Sequence, residues 1–135
     1  MEIFEECSRI NDLVNQKDEQ GARNELIKLL DFHKREHIPY TPIVNHLIRV
    51  TGLYPYLHTE TATWQDRFAH EAFTVDVGGK QATLHKEQAS LLKQLIEGES
   101  LAVSAPTSFG KSFIIDAFIS IKKPTNVVII VPTIA

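Results

Sequence analysis

Apolar residues in the first half of the chain recur every three or four positions, the period of amphipathic helices. One series begins at Ile3, and a second follows the break around Gly21. A third helix is predicted to start with Thr41 as N-cap and Pro42 at the first helical position and to stop at Gly52. Thr63 indicates a further capped turn. The pattern therefore predicts a helical N-terminal region.

The pattern changes after residue 72. Residues 73–77, FTVDV, alternate apolar and polar side chains, and two glycines follow them, so a β-hairpin is predicted. A helical period returns from Leu84 to Gly98, and a second, mostly apolar helix is predicted at 112–121. Residues 101–104, LAVS, and 127–131, VVIIV, are typical of buried strands. The β-branched residues of VVIIV favour a parallel strand covered on both faces.

Composition and charge narrow the class of protein. The 135 residues are 43% hydrophobic and 23% charged, as in globular domains. The only cysteine, Cys7, cannot form an internal disulfide, which favours a reducing, cytoplasmic location. We find no apolar run of about 18 residues and no basic leader, so we expect no membrane span and no export signal.

Charge is uneven along the chain. Residues 1–75 contain 8 Lys and Arg against 12 Asp and Glu, whereas residues 76–135 contain 6 against 5. The acidic first part is a poor electrostatic surface for nucleic acid. It leaves open a protein partner for the helices of residues 1–72.

Residues 105–112, APTSFGKS, lie between a predicted strand and a predicted helix, which is the context of a phosphate-binding loop. Backbone amides and the positive end of the helix would converge on a triphosphate. Gly110 allows a tight turn, Lys111 would contact the β- and γ-phosphates, and Ser112 would bind Mg²⁺. The strict motif requires glycine where this chain has alanine. The predicted cofactor-binding residues here are Ala105, Pro106, Thr107, Ser108, Phe109, Gly110, Lys111 and Ser112.

The departure from the strict motif resembles motif I of superfamily 2 DExD/H-box helicases, AxTGxGKS/T. The matching residues are Ala105, Thr107, Gly110, Lys111 and Ser112, while Ser108 replaces the usual glycine. The resemblance implies an α/β fold, in which the helical N-terminal region (1–75) is followed by the first part of a RecA-like P-loop domain (76–135) with an incomplete parallel sheet. It also implies ATP and Mg²⁺ as cofactors and a catalytic contribution from Lys111.

Two flanking segments extend the resemblance. Gln88 precedes Lys111 by 23 positions and resembles the glutamine of the Q motif, which implies adenine recognition. A glutamine amide has the donor and acceptor that adenine requires. Residues 127–135 resemble motif Ia, which implies that Pro132 and Thr133 contact the backbone of a bound DNA or RNA strand.

The chain ends before any DExD/H motif. We therefore expect an N-terminal fragment of an ATP-dependent helicase that is not catalytic alone. The alternatives are a fragment of another P-loop ATPase, or a helical interaction module with a non-catalytic nucleotide site. Residues 33–37, HKREH, also fit an inverted zinc-protease signature, although a solvated helix end is the better interpretation. Trp64, Phe68 and Phe73 could stack on adenine, as an aromatic residue upstream of the Q motif does in some helicases, but core packing is the better interpretation.

Overall fold

A computed structural model describes residues 1–105 and 110–131. These residues form six α-helices, a short 3₁₀ turn and one β-hairpin. In chain order they are α1 (Ile3–Asn15), α2 (Glu19–Arg35), α3 (Pro42–Val50), the 3₁₀ turn (Tyr54–Tyr56), α4 (Trp64–Ala72), β1 (Thr74–Val77), β2 (Lys80–Thr83), α5 (Lys86–Ile96) and α6 (Lys111–Lys122).

The first three helices form one hydrophobic cluster, as the periodicity predicts. Side-chain oxygens cap the N-termini of α1 and α2. Glu2 accepts a hydrogen bond from the amide of Glu5 at 2.8 Å, and Asp18 accepts one from the amide of Gly21 at 2.9 Å. The apolar faces of the helices meet in what we call the first cluster. Its buried residues are Cys7, Ile10, Ala22, Leu26, Leu29, Leu30, Tyr40, Val44, Leu47, Ile48, Leu53 and Leu57.

The predicted boundaries of α3 are confirmed. The Thr41 hydroxyl accepts the amide of Val44 at 3.3 Å, and Pro42 occupies the first helical position. The chain leaves the helix through Gly52 at φ +77°, a conformation that glycine adopts without the strain a β-carbon causes. Here the local sequence signals and the tertiary packing favour the same helix.

A buried amide connects the segment after α3 to that helix. The Asn45 Oδ1 accepts the backbone N–H of His58 at 2.9 Å, and its Nδ2 donates to the Thr61 hydroxyl at 2.8 Å. Asn45 is fully buried, so each of these bonds satisfies a polar group that water does not reach. This side chain therefore fixes a loop that has few apolar residues of its own.

The predicted turn at Thr63 and the predicted hairpin are both present. Thr63 caps α4 by accepting the amide of Asp66 at 3.3 Å. The two strands pair antiparallel from Thr74 opposite Thr83 to Val77 opposite Lys80, and both turn glycines have positive φ. A two-residue hairpin turn requires this backbone conformation.

The hairpin, α5 and α6 enclose a second cluster. Its buried residues are Leu84, Leu92, Ile114 and Ala117, and apolar side chains of β1 cover it from one side. The Gly78 amide donates to the Ser120 hydroxyl at 3.0 Å and so joins the hairpin turn to α6. The prediction of a helix over 112–121 is confirmed within one residue at each end.

The predicted fold class is wrong. Neither 101–105 nor 127–131 forms a strand, and the only sheet within the described residues is the antiparallel hairpin. The side chains of 127–131 are exposed, up to 91% at Ile130. β-branched residues favour a strand only where neighbouring strands and covering layers contact them, and this segment has neither. The structure is mainly helical and lacks the parallel RecA-like sheet within residues 1–105 and 110–131.

No helix in the described part of the chain has the length and apolar character needed to cross a lipid bilayer.

Candidate functional site

The start of α6, which we define as Gly110, Lys111 and Ser112, lies close to Ala105. Gly110 is the N-cap of the helix and has φ +80° in the left-handed region. The ammonium group of Lys111 donates to the carbonyl oxygen of Ala105 at 2.6 Å. This bond holds together the residues on either side of segment 106–109.

Gln88 lies against the same turn. It is the third residue of α5 and is buried, and its Oε1 accepts the backbone N–H of His85 at 3.0 Å. A β-carbon at Gly110 would lie only 2.8 Å from the Nε2 of Gln88. The structure therefore brings together four of the residues that the sequence predicted for one site, namely Gln88, Ala105, Gly110 and Lys111.

The chemistry at the α6 start suits a negatively charged ligand. The first N–H groups of a helix have no acceptor within that helix, and Gly110 has no side chain that could cap them. The first turn contains no aspartate or glutamate to compete for these groups, and Lys111 adds a positive charge. The helix dipole acts in the same direction. Ser112 follows and is exposed.

Six other residues predicted for binding cannot be placed. Pro106, Thr107, Ser108 and Phe109 lie outside the described residues, as do Pro132 and Thr133. The phosphate contacts of the first group and the nucleic-acid contacts of the second stay predictions.

The sequence patterns did not indicate an ion pair that lies beside this turn. Arg23 of α2 pairs with Glu87 of α5, and its Nε donates to the carbonyl oxygen of Thr51 at 2.9 Å. Burial opposes ionisation of Glu87, but the hydrogen bond from Arg23 leaves its pKa below the ordinary value. Burial lowers the pKa of the neighbouring His85. No local motif indicates a contact between residues 64 positions apart.

A second charged cluster joins α3 to α4. The carboxylate of Asp66 is buried, 2.6 Å from the Nε of Arg49 and 3.7 Å from the Nδ1 of His46. The three residues border an open surface cavity of about 460 Å³. Because Asp66 already has a cationic partner within the protein, the cluster explains how α4 is held against α3.

The interpretation of HKREH as a solvated helix end is wrong for His33. This side chain is buried against the first cluster, with its Nδ1 3.1 Å from the carbonyl oxygen of Ile38, and its ring packs edge-on against Tyr40. Within the described ranges, no group of three or more His, Cys, Asp or Glu side chains is arranged to hold a metal ion.

The aromatic residues of α4 are not in the core. Trp64 is 67% exposed and Phe68 is 73% exposed, so the prediction of core packing is wrong for both. Phe73 differs, because its ring stacks on Tyr54 with the ring centroids 4.1 Å apart. Their spacing of four residues gives Trp64 and Phe68 a shared side of α4, but spacing alone does not reveal whether another element covers that side.

The described residues define a mainly helical protein with a cationic helix start that lies beside the first turn of α5. Residues 1–67 match the family model of the Anti-bacteriophage protein B N-terminal domain. The sequence is 32% identical to Anti-bacteriophage protein B of Escherichia coli strain K12 in an alignment over 118 residues, which covers 84% of this chain. The chain spans only 16% of the length of that relative. No solved structure matches this chain.

These matches correct the family assignment made from residues 83–135. The family model that matches is that of an anti-bacteriophage protein, and the identification as a superfamily 2 DExD/H-box helicase is wrong. The helicase, P-loop and RecA-like descriptions, which depended on that identification, are wrong as well. Five matching residues in a short motif and two flanking segments supported that identification, and the strands that it required at 101–104 and 127–131 are absent.

Proposed function

We propose that this chain is the N-terminal part of an anti-bacteriophage protein, and that its α6 start binds the phosphates of ATP. The similarity to Anti-bacteriophage protein B supports the first part of the proposal. The second part of the proposal rests on one observation: the ammonium group of Lys111 lies 2.6 Å from the carbonyl oxygen of Ala105, beside Gly110 in its left-handed conformation. A cytoplasmic location agrees with the buried, unpaired Cys7.

The residues that are present suit a triphosphate. Lys111 would exchange the carbonyl oxygen of Ala105 for phosphate oxygens, and charge-assisted hydrogen bonds of this kind are the stronger ones. The uncapped N–H groups of α6 would donate to the same phosphates. Ser112, exposed beside them, would hold the Mg²⁺ that accompanies ATP, and the metal would offset phosphate charge. Gln88 would contact the base through its amide.

Binding of ATP depends on Lys111 in this proposal. We expect Lys111→Ala to weaken the affinity for ATP with Mg²⁺ at least about tenfold, because it removes a charge-assisted hydrogen bond. Isothermal titration calorimetry on the 135-residue chain measures this effect. Lys122→Ala, at the other end of the same helix, is the matched control and should bind like the unmodified chain. Equal affinity in the two variants, or no binding by the unmodified chain, would contradict the proposal.

The exposed aromatic residues of α4 favour a second function, that of a helical interaction module. We propose that Trp64 and Phe68 pack against the remaining part of the longer protein, since large exposed aromatic side chains commonly mark an interface. The acidic balance of residues 1–75 favours a basic surface opposite them.

This second proposal uses the single tryptophan of the chain. With fluorotryptophan incorporated into this chain alone, we expect one ¹⁹F resonance that shifts when the remaining part of the protein is added as a separate polypeptide. Phe68→Ser should reduce the shift, whereas Phe4→Ser, on an exposed site of α1, should not. An unchanged resonance at saturating concentration would exclude Trp64 from the interface.

A further inference from the structure

The first turn of α5 lies between the helices of residues 1–57 and the α6 start, and it contacts both. The guanidinium of Arg23 is held on two sides, because it donates to the carbonyl of Thr51 at 2.9 Å and pairs with the carboxylate of Glu87. Both side chains are partly buried, which protects the pair from full solvent screening. We call this arrangement the Arg23–Glu87 joint.

The backbone supports the same joint. The amide of Lys86 donates to the carbonyl oxygen of Gly52 at 3.1 Å. A β-carbon at Gly52 would lie 2.8 Å from the β-carbon of Lys86, so the end of α3 and the start of α5 are in close contact. The first turn of α5 therefore has its position set by α2 and by the end of α3.

Glu87 is followed directly by Gln88, whose Nε2 lies beside Gly110. A shift of the first turn of α5 would therefore change the distance between Gln88 and the α6 start. We propose that Arg23 and Glu87 are positioning residues for ATP at the α6 start, acting through Gln88. This inference rests on the proposed function, and it assigns to the N-terminal helices control over how tightly the base is held.

Two ligands distinguish the contribution of base contacts from that of phosphate contacts. The affinities of ATP and of inorganic tripolyphosphate are measured for the 135-residue chain and its variants by calorimetry. Glu87→Gln is expected to weaken ATP binding about fivefold, as loss of a partly buried ion pair would. Binding of tripolyphosphate, which has no base for Gln88 to contact, should change less than about twofold.

The matched control is Glu25→Gln, which breaks the ion pair between α1 and α2 at Arg9, with N···O 2.7 Å, and has no link to α5. Thermal unfolding of each variant shows whether stability changes alike. A charge exchange, Arg23→Glu with Glu87→Arg, should restore the affinity for ATP only in part, because the exchanged side chains can still pair but a glutamate at position 23 cannot donate to the carbonyl of Thr51.

The outcomes distinguish the two proposals. If the unmodified chain binds neither ATP nor tripolyphosphate, the proposed function fails and this inference fails with it. If the unmodified chain binds ATP and Lys111→Ala does not, but Glu87→Gln binds ATP as tightly as the unmodified chain, only the positioning role is overturned. Equal weakening of ATP and tripolyphosphate by Glu87→Gln would also overturn it, because that result indicates general distortion rather than an effect through Gln88.

Discussion

Replacement of Leu26 by alanine is expected to lower the free energy of unfolding by about 3 kcal/mol. Leu26 has no exposed surface and lies in the middle of α2, where it packs into the first cluster. The substitution removes apolar contacts and leaves a cavity that the surrounding helices fill only in part. Urea denaturation, followed by far-ultraviolet circular dichroism as a measure of helix content, gives the difference in free energy of unfolding.

The adjacent residue provides the control for this prediction. Ile27 is on the same helix and 48% exposed, so Ile27→Ala should cost less than about 1 kcal/mol. Alanine has the higher helix propensity in both replacements, by only a few tenths of a kcal/mol, so the difference between the two variants mainly measures burial. A loss for Leu26→Ala no larger than that for Ile27→Ala would show that the first cluster is not packed around α2 as described.

Replacement of Asn45 by alanine is expected to lower the free energy of unfolding by about 2 kcal/mol, because two hydrogen bonds of a fully buried amide are lost. The amide of His58 would be left without its acceptor and the hydroxyl of Thr61 without its donor. Hydrogen exchange should show the backbone amide of His58 losing protection, since Asn45 is its acceptor.

Asn24→Ala is the matched variant for this second prediction. Asn24 lies on an exposed face of α2 and accepts one hydrogen bond, from the side-chain amide of Gln20 at 2.9 Å. Its replacement should change stability by less than about 0.5 kcal/mol. If His58 kept its protection in Asn45→Ala, the buried amide would not be what fixes the loop after α3.

The helices and the hairpin could be predicted because their signals are local. The cap at Thr41, the proline after it and the paired glycines at 78 and 79 act within a few residues, and each favours the element that forms. The failed strands depended on distant partners. VVIIV has strong β propensity, but propensity becomes a strand only when neighbouring backbone supplies hydrogen bonds.

The site was predictable in part for the same reason. Gly110 and Lys111 follow one another in sequence, so a short motif identified them together. Gln88 lies beside them in the structure, although the family comparison that suggested it was wrong; its role in base recognition stays a prediction. The Arg23–Glu87 joint had no sequence signal, because arginine and glutamate on separate helices are most often solvated. Only the tertiary arrangement shows that the two meet.

The Arg23–Glu87 joint also bears on how the molecule opens. The first and second clusters have no buried residue in common. The parts of the chain that contain them are connected by the polar contacts at the joint and by the stacked rings of Tyr54 and Phe73. Units that share little apolar surface can open separately, each with its own local free energy. A ligand at the α6 start would therefore protect the amides around the second cluster first. Its stabilisation would reach those of α1 to α3 to the extent that the joint and the Tyr54–Phe73 stack couple the two parts.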